Sequence, residues 1–308
     1  MNKLRIVTRE SPLALWQAEY VGDWLQKLYP GLAVELVAIK TRGDRILDKP
    51  LSEAGGKGLF LKELEQQLLD RTADIAVHSM KDVTIELPPG LKLAAIMQRA
   101  DPRDVLIANH YPTLAALPEG ARVGTSSLRR QSQLRAIRPD LVVMDLRGNV
   151  NTRLRKLDDQ DYDGIILAAA GISRLLLEHR IREFLPVDVM LPAVGQGAIG
   201  IETRADDADV RKIVQPMNDS QAVIQLTAER AFSKRLYGGC QLPVAAYAEV
   251  TGNELHLRGL VGRVDGREII SGELRGSKSN AEVIGLQLAE QLLEKGADRI
   301  LRELIHGR

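Results

Sequence analysis

A single thiol and a recurring set of Ser, Thr, Lys and Arg residues placed just after short apolar runs are the parts of this sequence that could do chemistry. The thiol, Cys240, stands in Tyr237-Gly238-Gly239-Cys240-Gln241-Leu242-Pro243, where the glycines and the proline predict a non-helical, accessible loop. A lone cysteine makes no internal disulfide. It is either a small buried hydrophobe or a nucleophile, and its own neighbourhood leaves both readings open. The polar clusters have a common address. Arg9 and Ser11 follow Leu4–Thr8, His78-Ser79-Met80-Lys81-Asp82 follows Ile75-Ala76-Val77, and Thr125-Ser126-Ser127-Leu128-Arg129-Arg130 follows Val123-Gly124. Arg147-Gly148-Asn149 follows Leu146, and Ser173-Arg174 follows Ala168-Ala169-Ala170-Gly171. A strand end that opens into a helix offers unpaired N–H groups, Ser and Thr hydroxyls add donors, and arginine forks bind carboxylates or phosphates bidentately. The pattern suits a ligand with several anionic groups. Taken singly, each arginine reads as solvated surface.

Asp82 is the acid among these bases. An ionised carboxylate held there could stabilise a developing cation, or it could cap a helix or pair with an arginine. Gly55-Gly56-Lys57-Gly58 lacks the spacing and the following Ser or Thr of a phosphate loop. The histidines, His78, His110, His179, His256 and His306, show no ligand spacing, and no metal is expected.

The elements that must hold these residues follow from periodicity. Leu4–Thr8 alternates like a strand, and Ser11-Pro12 supplies an N-cap and first-turn proline for the apolar series from Leu13 to Leu25. Strands at 34–39 and 74–77 with a helix at 58–69 continue the alternation. A second series runs through strands 105–108, 122–124, 141–146 and 164–168 and helices 127–138, 151–157 and 172–177. Strands alternating with helices predict two α/β domains with mainly parallel sheets, whose ligands sit past the C-terminal strand ends. Ala100-Asp101-Pro102-Arg103 and Leu191-Pro192-Ala193-Val194-Gly195-Gln196-Gly197-Ala198 read as connectors. From Ser220 the pattern becomes a long helix, a three-stranded antiparallel meander at 245–250, 254–261 and 268–275 turning at Gly252-Asn253 and Asp265-Gly266, and two amphipathic helices.

Composition excludes several classes. Lys and Arg total 42 against 41 Asp and Glu, so there is no global field to attract nucleic acid, and aromatics at 4% leave few stacking platforms. No apolar run reaches the length of a membrane span, and the N-terminus runs into a strand pattern with no signal-peptide core. A cytoplasmic protein without nucleic-acid or membrane partners is expected.

Taken together, the motifs resemble the porphobilinogen deaminase (hydroxymethylbilane synthase) family from end to end. They are Thr8-Arg9-Glu10-Ser11-Pro12-Leu13-Ala14, Thr41-Arg42-Gly43-Asp44, Gly55-Gly56-Lys57-Gly58-Leu59-Phe60, Val77-His78-Ser79-Met80-Lys81-Asp82, Gly124-Thr125-Ser126-Ser127-Leu128-Arg129-Arg130, Arg147-Gly148-Asn149-Val150, Leu191–Gly197 and Gly238-Gly239-Cys240. The resemblance implies an enzyme that condenses four porphobilinogen molecules head to tail, releasing ammonia at each step and finally 1-hydroxymethylbilane. It implies a covalent dipyrromethane cofactor attached to Cys240 as a thioether, and Asp82 as the catalytic carboxylate. Arg9, Ser11, Lys81, Asp82, Thr125, Ser126, Ser127, Arg129, Arg130, Arg147 and Gly148 match the family's cofactor contacts. Arg9, Ser11, Lys57, Phe60, Arg147, Arg153, Arg174 and Gln196 match its contacts to substrate and growing chain.

The implied architecture is three domains: 1–98 with 198–216, then 103–192, then 219–308. The first two resemble bilobal periplasmic solute-binding proteins, and the third is a small α+β domain carrying the cysteine loop. A monomer that passes its product to uroporphyrinogen-III synthase is implied as well. Two positions depart from the family pattern: Thr84 stands where proline is frequent, and Glu53 where lysine is frequent. The competing readings are a non-catalytic small-acid or anion-binding protein of bilobal fold, which gives Cys240 no task, and a nucleotide-dependent transferase, disfavoured by the incomplete phosphate loop.

Overall fold

A computed structural model describes residues 2–41, 43, 61–236 and 242–306. The chain divides into two compact units, 1–100 with 198–223 and 101–197 with 224–308.

In the first unit, β1 (Lys3–Arg9) leads into α1 (Pro12–Leu28), β2 (Ala33–Ile39), α2 (Lys62–Leu69), β3 (Ile75–Ser79) and β4 (Leu91–Ile96). The chain returns after residue 197 as β10 (Ile199–Arg204) and α6 (Ala208–Val214). The sheet order is β2-β1-β3-β10-β4; β1 runs parallel to both neighbours, whereas β10 pairs antiparallel with β3 and β4. Helix α1 starts where the sequence predicts, with Ser11 at the N-cap and Pro12 in the first turn, and buries Gln17, Ala18, Val21, Gly22 and Leu25 at helical spacing. Leu4, Ile6, Ile75 and Ile201 meet that face on one side of the sheet, and Val7, Leu64, Leu68 and Ala76 form the core on the other. Asp74 fastens the strands at their N-terminal edge, accepting from Arg5 Nη2 at 2.9 Å while Arg204 Nη2 lies 3.4 Å away. Burial pushes the Asp74 carboxyl up, but the Arg5 hydrogen bonds outweigh it and hold the group below the usual carboxylate range.

In the second unit, β5 (Asp104–Ile107), β6 (Arg122–Gly124), α3 (Leu128–Ile137), β7 (Val142–Met144), α4 (Val150–Asp158), β8 (Gly164–Ala168), α5 (Ala169–Arg174) and β9 (Ile181–Leu185) build a sheet of order β7-β6-β8-β5-β9. Here β6 is parallel to β7 and β8, and β5 is antiparallel to β8 and β9. Each of these two sheets thus has a parallel βαβ half and an antiparallel half. The same unit holds a three-stranded antiparallel sheet of β11 (Val244–Thr251), β12 (Glu254–Gly262) and β13 (Ile269–Ser277). It is covered by α7 (Ser220–Arg235), α8 (Ala281–Leu292) and α9 (Asp298–His306) around the fully buried Phe232. Burying a ring of that size stabilises by about 1.5–3 kcal/mol. The meander leans on α3, where Arg135 Nη1 donates to Val264 O at 2.8 Å.

Three strands have no counterpart in the sequence reading: β4, β9 and β10. Each is short and its partners are distant in sequence, so no local signal marks it. The helix expected at 172–177 begins three residues earlier, as α5, because Ala168 already has the extended backbone of an N-cap. Among the described residues no helix is long and apolar enough to cross a membrane.

Candidate functional site

In the first unit the parallel pairing of β1 with β3 brings two predicted clusters to one sheet edge. Arg9 is the last residue of β1, and Ser11 caps α1 without making a side-chain cap bond. Beyond β3 the chain closes a 3₁₀ turn, Met80–Asp82, that presents Lys81 and Asp82. The turn is held from both sides: Gln17 Nε2 on α1 donates to Ser79 Oγ at 2.8 Å, and Met80 N donates to Ala198 O at 3.0 Å. Met80 is buried while Asp82 is exposed. Ser79, not Asp82, occupies the N-cap, and among the described residues no arginine pairs with Asp82.

In the second unit the C-terminal ends of the parallel strands β6, β7 and β8 carry the remaining polar clusters. Thr125 N donates to Met144 O at 2.8 Å, and Ser126 Oγ donates to Leu146 O at 3.0 Å, which ties the β6 and β7 loops together. Ser127 caps α3 with no side-chain bond. After β7, Gly148 takes φ +108°, and a Cβ there would fall 2.7 Å from Thr152 Cγ2, so the turn requires glycine. Asn149 then caps α4 by accepting from Thr152 N, and Arg153 Nε donates to Gly148 O at 2.8 Å. Arg147 lies 3.7 Å from Asp145. Arg174 Nη2 reaches Gly197 O at 2.7 Å.

Arg129 and Arg130 differ from the open forks that the sequence suggests. Both are buried, and both converge on Asp104, the first residue of β5, which is fully buried. Arg129 Nη1 donates to Asp104 Oδ2 at 2.8 Å and to Leu191 O at 2.6 Å; Arg130 Nη2 donates to Asp104 Oδ1 at 2.7 Å and its Nη1 to Ile166 O at 2.9 Å. Gln196 Nε2 completes the set, 2.9 Å from Asp104 Oδ1 and 2.6 Å from Pro102 O. Burial drives the Asp104 carboxyl up, yet the two guanidiniums outweigh it and keep the group well below the usual carboxylate range. Sequence reasoning missed Asp104. The available signal was an acid opening an otherwise apolar strand, Asp104-Val105-Leu106-Ile107, where an ionised group needs a partner.

The stretch 191–197, read as a connector, has no regular element, and side chains take the place of a backbone ladder. Leu191 N donates to Gln133 Oε1 at 2.7 Å, and Gly195 N donates to Glu229 Oε2 at 2.7 Å. Of the other expected site residues, Lys57, Phe60 and Cys240 lie outside the described residues, as does Glu53. Among the described residues no group of three or more His, Cys, Asp or Glu side chains is placed to hold a metal ion.

The chain is similar in structure to a putative methionine-binding lipoprotein from Bacillus subtilis, at 10% identity, covering 72% of this chain and 92% of that one with a TM-score of 0.46. It is also similar to the VFT2 domain of BvgS from Bordetella pertussis, at 15% identity, 70% and 85% coverage and a TM-score of 0.42. A nutrient-binding protein from Burkholderia cenocepacia bound to methionine matches at 12% identity, 71% and 93% coverage and a TM-score of 0.44.

Two family models match the sequence. Residues 4–212 match "Porphobilinogen deaminase, dipyromethane cofactor binding domain", and residues 223–294 match "Porphobilinogen deaminase, C-terminal domain". The dipyrromethane group is therefore the cofactor, and the second unit suits it. Arg129 Nε is a buried donor without a hydrogen-bond partner, of the kind a pyrrole acetate or propionate would satisfy. The uncapped N-terminus of α3, ten residues long, adds backbone donors for the same anions. By these matches across nearly its whole length, the chain belongs to the porphobilinogen deaminase family, the hydroxymethylbilane synthases of tetrapyrrole biosynthesis.

Proposed function

We propose that Asp82 is the catalytic carboxylate of this deaminase and that Cys240 carries its dipyrromethane cofactor. The observation that carries the first assignment is the Met80–Asp82 turn, which holds an exposed carboxylate at the end of β3, while the Ser79 side chain before it is bonded to Gln17 of α1 and Met80 N to Ala198 O, just ahead of β10. When bound, the cofactor would supply the unsubstituted pyrrole carbon to which the first unit is joined, each later unit adding to the free carbon of the ring before it. Porphobilinogen becomes an electrophile by losing ammonia, and the bond that follows leaves positive charge on pyrrole nitrogens. An ionised Asp82 facing those N–H groups stabilises that charge more in the transition state than in the ground state.

Each pyrrole carries an acetate and a propionate. Thr125, Ser126, Ser127, Arg129, Arg130, Arg147 and Gly148 hold those of the cofactor together with Arg9, Ser11 and Lys81, in this reading, and Lys57, Phe60, Arg153, Arg174 and Gln196 act on the substrate and growing chain. Asp104 does not touch the ligand. It fixes two guanidinium groups so that their remaining donors keep one direction. The division into domains 1–98 with 198–216, 103–192 and 219–308, the monomeric state, the cytoplasmic location, and hand-off to uroporphyrinogen-III synthase belong to the same proposal.

Cys240→Ser tests the attachment. A hydroxyl is a far poorer nucleophile than a thiol of ordinary pKa. The variant is expected to fold, with a melting midpoint below that of the cofactor-loaded parent because a ligand of the folded state is lost, and to contain no stable covalent pyrrole. Recovery of a fully pyrrole-loaded serine variant would rule the attachment out.

A further inference from the structure

Strand β10 returns to the first unit between β3 and β4, and it and the residue before it, Ala198, meet the segment that ends in Asp82 at three points. Met80 N donates to Ala198 O at 3.0 Å. The Met80 side chain, 2% exposed, lies over Gly200, where a Cβ would fall 2.2 Å from Met80 Sδ. His78 Nε2 lies 2.9 Å from Glu202 Oε2, and both side chains are buried. The register explains the last contact: His78 pairs with Gly200, so Glu202 is its diagonal neighbour on the same sheet face.

These contacts are costly for a merely structural site. A carboxylate and an imidazole are removed from water, Glu202 Oε1 has no hydrogen-bond partner, and a third ionisable group, Glu65, is buried beside them. Burial raises the Glu65 carboxyl above its usual range, Glu202 adds to the rise, and His78 and Lys62 oppose it. Apolar residues of the same volume would hold the strands together without that desolvation. What the buried pair and the missing side chain at 200 accomplish is definition of place. His78 and Met80 are the fourth and second residues before Asp82, and each is fixed against β10.

We propose that Gly200 and Glu202 are positioning residues for Asp82: Gly200 by leaving room for Met80 beneath the catalytic turn, and Glu202 by holding His78 at the end of β3. The proposal rests on Asp82 being the catalytic carboxylate. Both residues act through the backbone of the 78–82 segment and neither meets the substrate, so their loss is read in the chemical step and not in KM for porphobilinogen; Lys81, the one recognition residue in the segment, is assigned to the cofactor.

The test uses cofactor-loaded enzyme, with the loaded fraction measured by mass and rates expressed per loaded molecule. Gly200→Ala is expected to lower kcat by about 100-fold, the size of effect that follows a displacement near 1 Å, with KM for porphobilinogen within about threefold. Adding Met80→Ala, which removes the sulfur that the new methyl meets, is expected to restore roughly tenfold of that loss. Glu202→Gln keeps a hydrogen bond to either histidine tautomer and is expected to stay within about threefold of the parent, whereas Glu202→Leu falls by about tenfold. If Gly200→Ala fails to fold, the Gln and Leu variants at 202 decide. Unchanged kcat per loaded enzyme in Gly200→Ala and Glu202→Leu overturns the positioning role. Asp82→Ala run alongside separates the two claims. If it stays active, the role of Asp82 falls and this proposal with it; if it is inactive while both β10 variants keep full rate, only the positioning falls.

Discussion

Asp82→Ala is expected to lower kcat by about 100- to 1000-fold, the usual consequence of deleting a fixed charge that stabilises a transition state. The melting midpoint should barely move, because the side chain is exposed and pairs with no arginine among the described residues. Loading of the covalent cofactor provides a second readout. Anion-binding groups in the second unit are untouched by this change, so the variant should still hold the cofactor while failing to turn over. Asp82→Glu keeps the charge but moves it by one methylene, and an intermediate loss of about tenfold is expected. Steady-state rates per loaded enzyme check both. Near-normal turnover by Asp82→Ala would remove the carboxylate from the mechanism.

Asp104→Ala should be the most damaging change in the second unit. It leaves two buried guanidiniums facing each other without a counter-charge, a cost of about 3–5 kcal/mol, and it also frees Gln196 from β5. Denaturant unfolding is expected to show that loss, and the protein that does fold should carry less cofactor because Arg129 and Arg130 are no longer aimed. The effect depends on pH in a defined direction. The folded carboxyl is held well below its unfolded value of about 4, so its contribution is complete above that pH and fades as pH falls through the folded value. The stability difference between parent and Asp104→Ala should therefore be constant from neutral pH down to about 5 and shrink only in stronger acid. A difference that instead grew on acidification would contradict the ion-pair account.

The sequence was most informative where function and periodicity coincide. The α/β alternation predicted β1, α1, β3, β6, β8 and the meander of β11 to β13 to within a few residues at each end, and with them the strand ends that present Arg9, Ser11, Lys81, Asp82 and Thr125. It failed where partners are remote in the chain. Strand β10 is flanked by a proline and glycine run and pairs with strands more than a hundred residues earlier, so nothing local announced its antiparallel insertion. Asp104 is the same case in chemical form. Its meaning lies in α3 and in Gln196, which meet it only after folding. The arginines were visible as a pattern, but no pattern distinguishes a guanidinium open to solvent from one committed to a buried aspartate. Arg129 and Arg130 are of the second kind, while Arg9, Arg147, Arg153 and Arg174 are partly exposed.

The central claim is a covalent pyrrole primer on Cys240, and the most direct test is the intact mass of the protein from a host that makes porphobilinogen, followed by peptide mapping of the 235–245 region. A mass excess equal to two linked pyrroles, located on Cys240, is the result expected. An unmodified thiol that persists after incubation with porphobilinogen or preformed hydroxymethylbilane would contradict it.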